Sequence, residues 1–135
     1  MRVLVDTSAL LALANARDQW HARATRAARA NASSGVRYVG TTLVLGEFHA
    51  HLLYLRGPAE AREAITRLTG DPTHEWFAVD ADLVQHATAR WLARFPDQRF
   101  SLADAVSFEV MKRERITHAF AFDKQFETAG FELVE

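Results

Sequence analysis

The chain has 135 residues, 49% hydrophobic and 24% charged, with a formal net charge of −1 and a pI of about 6.6. That is the size and balance of one domain over residues 1–135 with a buried core. It excludes a basic tail or a bulk electrostatic grip on nucleic acid, so any such contact must come from a local patch. No cysteine is present, which excludes disulfides and thiolate metal sites and fits a reducing compartment.

The N-terminus places Arg2 before an apolar run, as a short leader would, but Asp6 interrupts the run and no long apolar span follows. Strand then helix is the reading, with a cytoplasmic location and no membrane association expected. Val3-Leu4-Val5 predicts a buried strand and Thr7 to Ala14 a helix. Asp18 is the expected N-cap of a second helix to about Ala32, with a turn cluster over Asn31 to Gly35. Tyr38-Val39 is a second strand. A helix over Leu43 to Leu55 stops at Gly57-Pro58, and Pro58 opens the next helix, which Gly70 ends. Trp76 to Val79 predicts a third strand, Ala81 to Phe95 a helix, and Leu102 to Arg115 a helix capped by Ser101. Ala119 to Phe122 is a fourth strand, Lys124 to Ala129 a short helix and Phe131 to Val134 a final strand. Strand and helix alternate, so the class is α/β with a mainly parallel sheet. The Leu43 to Leu55 helix is apolar nearly all round, which predicts burial on more than one side, inside the domain or in a subunit contact.

Four acidic residues, Asp6, Glu47, Asp104 and Asp123, stand where an apolar segment runs out, where a helix starts, or inside an apolar helix. Asp6 directly follows the first strand, and Asp123 mirrors it as a carboxylate at the last position of the fourth. An N-cap explains either one alone. Parallel strands, however, end at one sheet edge, where ligands bind, and caps do not require that symmetry. Asp104 lies three residues after Ser101 in a capping box, yet is bordered by Ala103 and Ala105-Val106, where a charge needs compensation. Glu47 is least explained by structure: its helical neighbours are Leu43, Val44, Ala50 and His51, and a buried Glu is rare unless paired or metal-bound. A cluster of carboxylates without cysteine suits hard divalent cations and phosphodiester chemistry. His49 and His51 point to different faces of their helix, and there is no HExxH, which argues against zinc. His21, His74, His86 and His118 read as surface or capping residues.

Taken together these residues resemble the PIN domain family, and within it the VapC-like toxin ribonucleases of VapBC toxin–antitoxin pairs. The matching segments are Val3 to Leu11, Thr41 to Glu47, Ser101 to Ala105, and Phe122 to Phe126 with Gly130-Phe131, in the family's order along the whole chain. The resemblance implies a three-layer α/β/α sandwich and a Mg²⁺- or Mn²⁺-dependent endoribonuclease. By motif match Asp6, Glu47, Asp104 and Asp123 would form the catalytic and metal-binding site, and Thr7 or Ser8, with Ser101, would supply hydroxyls to water or phosphate. The family also implies 5′-phosphate and 3′-hydroxyl products, a cognate antitoxin that blocks the site, and a homodimer.

Four close carboxylates repel, so some should hold protons at neutral pH without metal. A divalent cation acidifies water for attack on phosphorus and offsets charge on the leaving oxygen. Asp6 and Asp104 are the expected direct ligands, with Glu47 and Asp123 direct or through water. An acidic site repels RNA, so nearby cations must recruit it. Arg17, Arg23, Arg26 and Arg29 on the second helix are candidates, beside Arg90, Arg94, Arg99, Lys112, Arg113 and Arg115; for any single arginine a solvated helix face is the better reading. Trp20 and Trp91 could stack on bases, though packing accounts for both.

Two other families with Asp after a first strand fit less well. A haloacid-dehalogenase-like phosphatase wants a second Asp where Ser8 stands, and a receiver domain wants an acidic pair where Asp6 stands alone. No glycine-rich phosphate loop occurs. The rival from another class is a non-catalytic binding module whose acidic pocket holds a basic peptide.

Overall fold

The computed structural model describes residues 1–134. Five strands, β1 (Arg2–Val5), β2 (Arg37–Thr41), β3 (His74–Phe77), β4 (His118–Phe120) and β5 (Glu132–Leu133), form one sheet in the order β3-β2-β1-β4-β5. Every pairing is parallel. The helices are α1 (Thr7–Ala14), α2 (His21–Ser33), α3 (Thr42–Arg56), α4 (Pro58–Gly70), α5 (Ala81–Ala87), α6 (Leu102–Glu114) and α7 (Gln125–Thr128). This is the expected α/β/α sandwich.

Alternation along β1 divides the core. Val3 and Val5 face a layer with Ala9, Leu10, Ala24, Phe48 and Leu52, while Leu4 faces Trp91, Phe108, Met111 and Phe126 on the other side of the sheet. A sheet buried on both faces needs such continuous apolar strands. From β1 the chain first winds outward to β2 and β3, then crosses back to β4 on the opposite flank of β1. The winding reverses between β1 and β4, which opens a crevice beyond their carboxyl ends.

Several elements depart from expectation. Asp18 does not cap α2; its Oδ1 accepts from Trp20 N (2.8 Å), and the helix starts at His21 and runs into the expected turn cluster. β3 begins at His74, two residues early, because His74 and Trp76 stack in series with Tyr38 of β2. β4 ends at Phe120, since Phe122 N turns away to Ser8 Oγ (3.0 Å); Asp123 therefore lies in the loop beyond the strand and not at its last position. The helix expected over 81–95 widens after Ala87 into a π-helical turn, Thr88–Leu92, closed by Ala93 N on Thr88 O. α3 is buried on one face only, through Val44, Phe48 and Leu52; Tyr54 is 90% exposed, and Leu53 and Leu55 are exposed beside it. No helix among the described residues is long and apolar enough to cross a membrane.

Candidate active site

The four acidic residues converge on the crevice. Asp6 leaves β1 and caps α1, accepting from Ser8 N (3.4 Å) and Ser8 Oγ (2.9 Å). It is only 6% exposed. Burial pushes its carboxyl up to about 6, helped by the charge of Asp104 and opposed by the Ser8 hydroxyl. Asp104 is half-buried at the start of α6, where the predicted capping box forms: Asp104 N donates to Ser101 Oγ (3.0 Å) and Ser101 N donates to Asp104 Oδ2 (3.0 Å). Burial raises Asp104 as well, the Ser101 bonds lower it, and the charges of Asp123 and Glu47 raise it further. Glu47 is half-buried on α3 and accepts from Thr7 Oγ1 at 2.6 Å. Asp123 accepts from Gln125 N (3.4 Å), and the Gln125 side-chain amide lies against its carboxylate. The cap readings of Asp6 and Asp104 both hold, and neither cap removes the carboxyl from the crevice.

The supporting hydroxyls are engaged with protein. Thr7 donates to Glu47. Ser8 donates to Asp6 while accepting from Phe122 N, so it ties the loop after β4 to the carboxylate after β1. Ser101 serves the α6 cap. In this arrangement all three orient acidic side chains or a helix start.

The donor set is entirely oxygen, with two carboxyls displaced upward by burial and mutual repulsion. That chemistry fits a hard divalent cation, which offsets the charge the site gathers. Among the described residues, no three acidic or histidine side chains are close enough to hold an ion as they stand. Each carboxylate is instead turned onto an intramolecular donor: Ser8, Thr7, Ser101 or Gln125.

A PIN domain model matches residues 3–132. The chain belongs to the PIN domain family. The 23S rRNA-specific endonuclease VapC20 of Mycobacterium tuberculosis is 36% identical over 129 residues, 96% of this chain and 95% of that protein. A crystal structure of M. tuberculosis VapC20, described as a sarcin-ricin loop cleaving toxin, superposes with a TM-score of 0.84 at 34% identity, covering 96% of this chain and 95% of that one. FitAcB from Neisseria gonorrhoeae shares the fold alone, with a TM-score of 0.69 at 14% identity over 100% of this chain and 97% of that one.

In this PIN domain the basic candidates divide. Arg17, Arg23, Arg26 and Arg29 are all exposed on or before α2. Arg23 alone of these touches a feature beside the site: its guanidinium lies 5.2 Å from the Trp20 ring and 5.7 Å from the Phe122 ring. Arg90 and Arg113 are bound instead to Glu109, whose carboxylate is fully buried and also accepts from Trp91 Nε1. Trp91 is a core residue; Trp20 is half-buried, stacked on Phe122. The Ser8–Phe122 link, the Trp20–Phe122 stack and the bonds of Arg90 and Trp91 to Glu109 join residues 18 to 114 apart, and nothing in local spacing announces them; within the Glu109 cluster only the Arg113–Glu109 pair has helical i,i+4 spacing.

Proposed function

We propose that the protein is a divalent-metal-dependent endoribonuclease, a single PIN-like domain over 1–135, acting as the toxin of a toxin–antitoxin pair. What supports this reading is that Asp104 feels the charges of Asp123 and Glu47 and acts on Asp6 at the β1/β4 crevice, in a chain matched to the PIN model almost end to end. The name of its VapC20 relative supports RNA as substrate and structured ribosomal RNA as the first class to try.

Asp6 and Asp104 are assigned as direct holders of Mg²⁺ or Mn²⁺, with Glu47 and Asp123 completing the acidic set. The cation supplies Lewis acidity that lowers the pKa of water and offsets charge on the leaving oxygen. Thr7 and Ser8 fix the directions of Glu47 and Asp6, and these are the bonds that would turn as the cation is taken up. A carboxylate of this set that the cation leaves free can take the proton of the attacking water. A cognate antitoxin with a basic segment suits the same acidic pocket, and a homodimer suits the apolar outer side of α3 at Leu53, Tyr54 and Leu55. A location inside the cell follows from the RNA substrate.

The test is incubation of purified, antitoxin-free protein with total RNA and with intact ribosomes, wild type beside Asp6→Asn, in Mg²⁺, Mn²⁺ or EDTA. Discrete fragments that need both metal and Asp6 are expected. A folded wild type that cuts nothing under any of these conditions would refute the nuclease and favour the peptide-holding module.

A further inference from the structure

Trp20 and Phe122 lie with rings parallel to within 1° and centroids 5.3 Å apart. The Arg23 guanidinium lies over both rings, 5.2 Å from the Trp20 centroid and 5.7 Å from that of Phe122. The pair is held from both ends: Asp18 fixes the main chain of Trp20, and Ser8 fixes that of Phe122. Two open clefts share this pair and Lys124 as walls. One, of about 500 Å³, continues to Ser8 and Asp123 of the acidic site. The other, of about 700 Å³, runs past Arg23 and ends among Glu127, Gly130 and Glu132. Along the surface the acidic site gives way to the aromatic shelf with Lys124, then to Arg23, and beyond it to Glu127 and Glu132.

We propose that the Trp20–Phe122 shelf, with Arg23 and Lys124, is the subsite that takes the single-stranded nucleotides flanking the phosphate to be cut. The inference rests on the nuclease reading. An acidic centre repels the strand it cleaves, so binding energy must come from its border. A π-face next to two cations is what an unpaired nucleotide uses, its base stacking on the ring and its phosphate meeting the guanidinium or ammonium. Arg2, Arg56, Arg67, Arg90 and Arg113 are the arginines engaged with carboxylates among the described residues, and Arg23 is not one of them. Its charge stays available to a ligand. Stacking on a preformed shelf is a contact made before as well as during the reaction, so it belongs in KM more than in kcat.

The experiment titrates a labelled single-stranded RNA 12-mer into the wild type, Trp20→Leu, Trp20→Phe and Arg23→Gln, and measures cleavage of the RNA that the wild type cuts. Expected for Trp20→Leu is a rise in Kd and KM of about ten- to a hundred-fold with little change in kcat. Trp20→Phe keeps a ring and should recover most of the affinity, while losing the Trp20 quenching expected of the wild type on binding. Arg23→Gln should lower the slope of log K against log salt by about 0.7. Thermal melts identify a Leu variant that fails to fold, in which case Trp20→Phe and Arg23→Gln decide. Unchanged Kd, KM and salt slope in folded variants would overturn the subsite while leaving the nuclease intact, even if recognition of a protein partner changed. A wild type that binds the 12-mer without cutting any RNA would remove the nuclease reading, with the shelf still judged by the same titration. A wild type that does neither overturns both.

Discussion

Thr7 donates its hydroxyl hydrogen to Glu47 Oε1 across 2.6 Å, joining the first turn of α1 to the middle of α3. Glu47 is the one acidic site residue that neither caps a helix nor follows a strand, so this bond is what orients it. Removing the hydroxyl without changing the side-chain shape frees the carboxylate to rotate. Thr7→Val should lower kcat by roughly 10-fold, in line with about 1.4 kcal/mol for one charge-assisted bond, with KM nearly constant. Thr7→Ser should restore most of the loss. Steady-state kinetics on the cleaved RNA would check it, and a Val variant with wild-type kcat would mean Glu47 is positioned otherwise.

Asp6 makes a prediction about stability without metal. Its folded-state pKa is raised from the ordinary 3.8 to about 6. The folded protein therefore binds this proton more tightly than the unfolded chain does. The stabilisation is complete below about pH 4 and is lost as pH rises through about 6, a change on the order of 3 kcal/mol. Above that range an ionised Asp6 is buried at a cost that asparagine does not incur. In EDTA at pH 7.5 Asp6→Asn should melt several degrees above the wild type, and the gap should close near pH 4.5. Asp104 shifts in the same direction and leaves a smaller pH dependence in the variant. Mg²⁺ should raise the melting temperature of the wild type alone, since only there is its site whole. Equal melting curves in EDTA at pH 7.5 would contradict the burial argument.

Much of this was legible in the sequence, and the part that was not has a physical cause. The strand–helix alternation and the caps at Asp6 and Ser101 are local signals, read from a few neighbouring residues, and the structure contains them. Glu47 stood out because a charge in an apolar helix demands a partner, and Thr7 is that partner. Asp18 misled because an Asx turn and an N-cap use the same side-chain acceptor; Trp20 N, not a helical amide, fills it. The β4 boundary was overrun because apolarity continues through Phe122 while the main chain has already turned to Ser8, 114 residues away. The Thr7–Glu47 and Arg90–Glu109 bonds join separate segments that one-dimensional patterning does not connect, whereas Ser8–Asp6, Ser101–Asp104 and Arg113–Glu109 are local.

Glu109 anchors the opposite layer. Its carboxylate is 0% exposed, with Oε2 accepting from Arg90 (2.8 Å) and Arg113 (3.0 Å) and Oε1 from Trp91 Nε1 (3.1 Å). The π-helical turn lets two consecutive residues, Arg90 and Trp91, reach the same group. Glu109→Ala leaves an indole N–H buried without an acceptor and separates two cations from their counter-charge. Because both arginines reach solvent, the loss should be about 2–4 kcal/mol, at or below the usual range for breaking a buried pair. Denaturant unfolding would measure it. Metal-dependent cleavage by the remaining folded protein should be unchanged, because the cluster does not touch the acidic site. A loss under about 0.5 kcal/mol would show that the cluster is bypassed by water.

Gly40 in β2 is under the Trp76 ring of the neighbouring strand. A Cβ at this position would come within 2.8 Å of Trp76 Cε3 and closer still to Cζ3. The indole cannot swing clear without cost, because its Nε1 donates to Leu68 O (3.0 Å) and its ring stacks on His74. Gly40→Ala therefore overpacks the interface between β2, β3 and α4, and should cost about 1–3 kcal/mol despite the better strand propensity of alanine over glycine. The ring is the obstacle, so Trp76→Leu in the same chain should make the alanine nearly neutral, a coupling of 1 kcal/mol or more in a double-mutant cycle. Additive effects in that cycle would place the strain in the strand backbone and not in the Gly40–Trp76 contact.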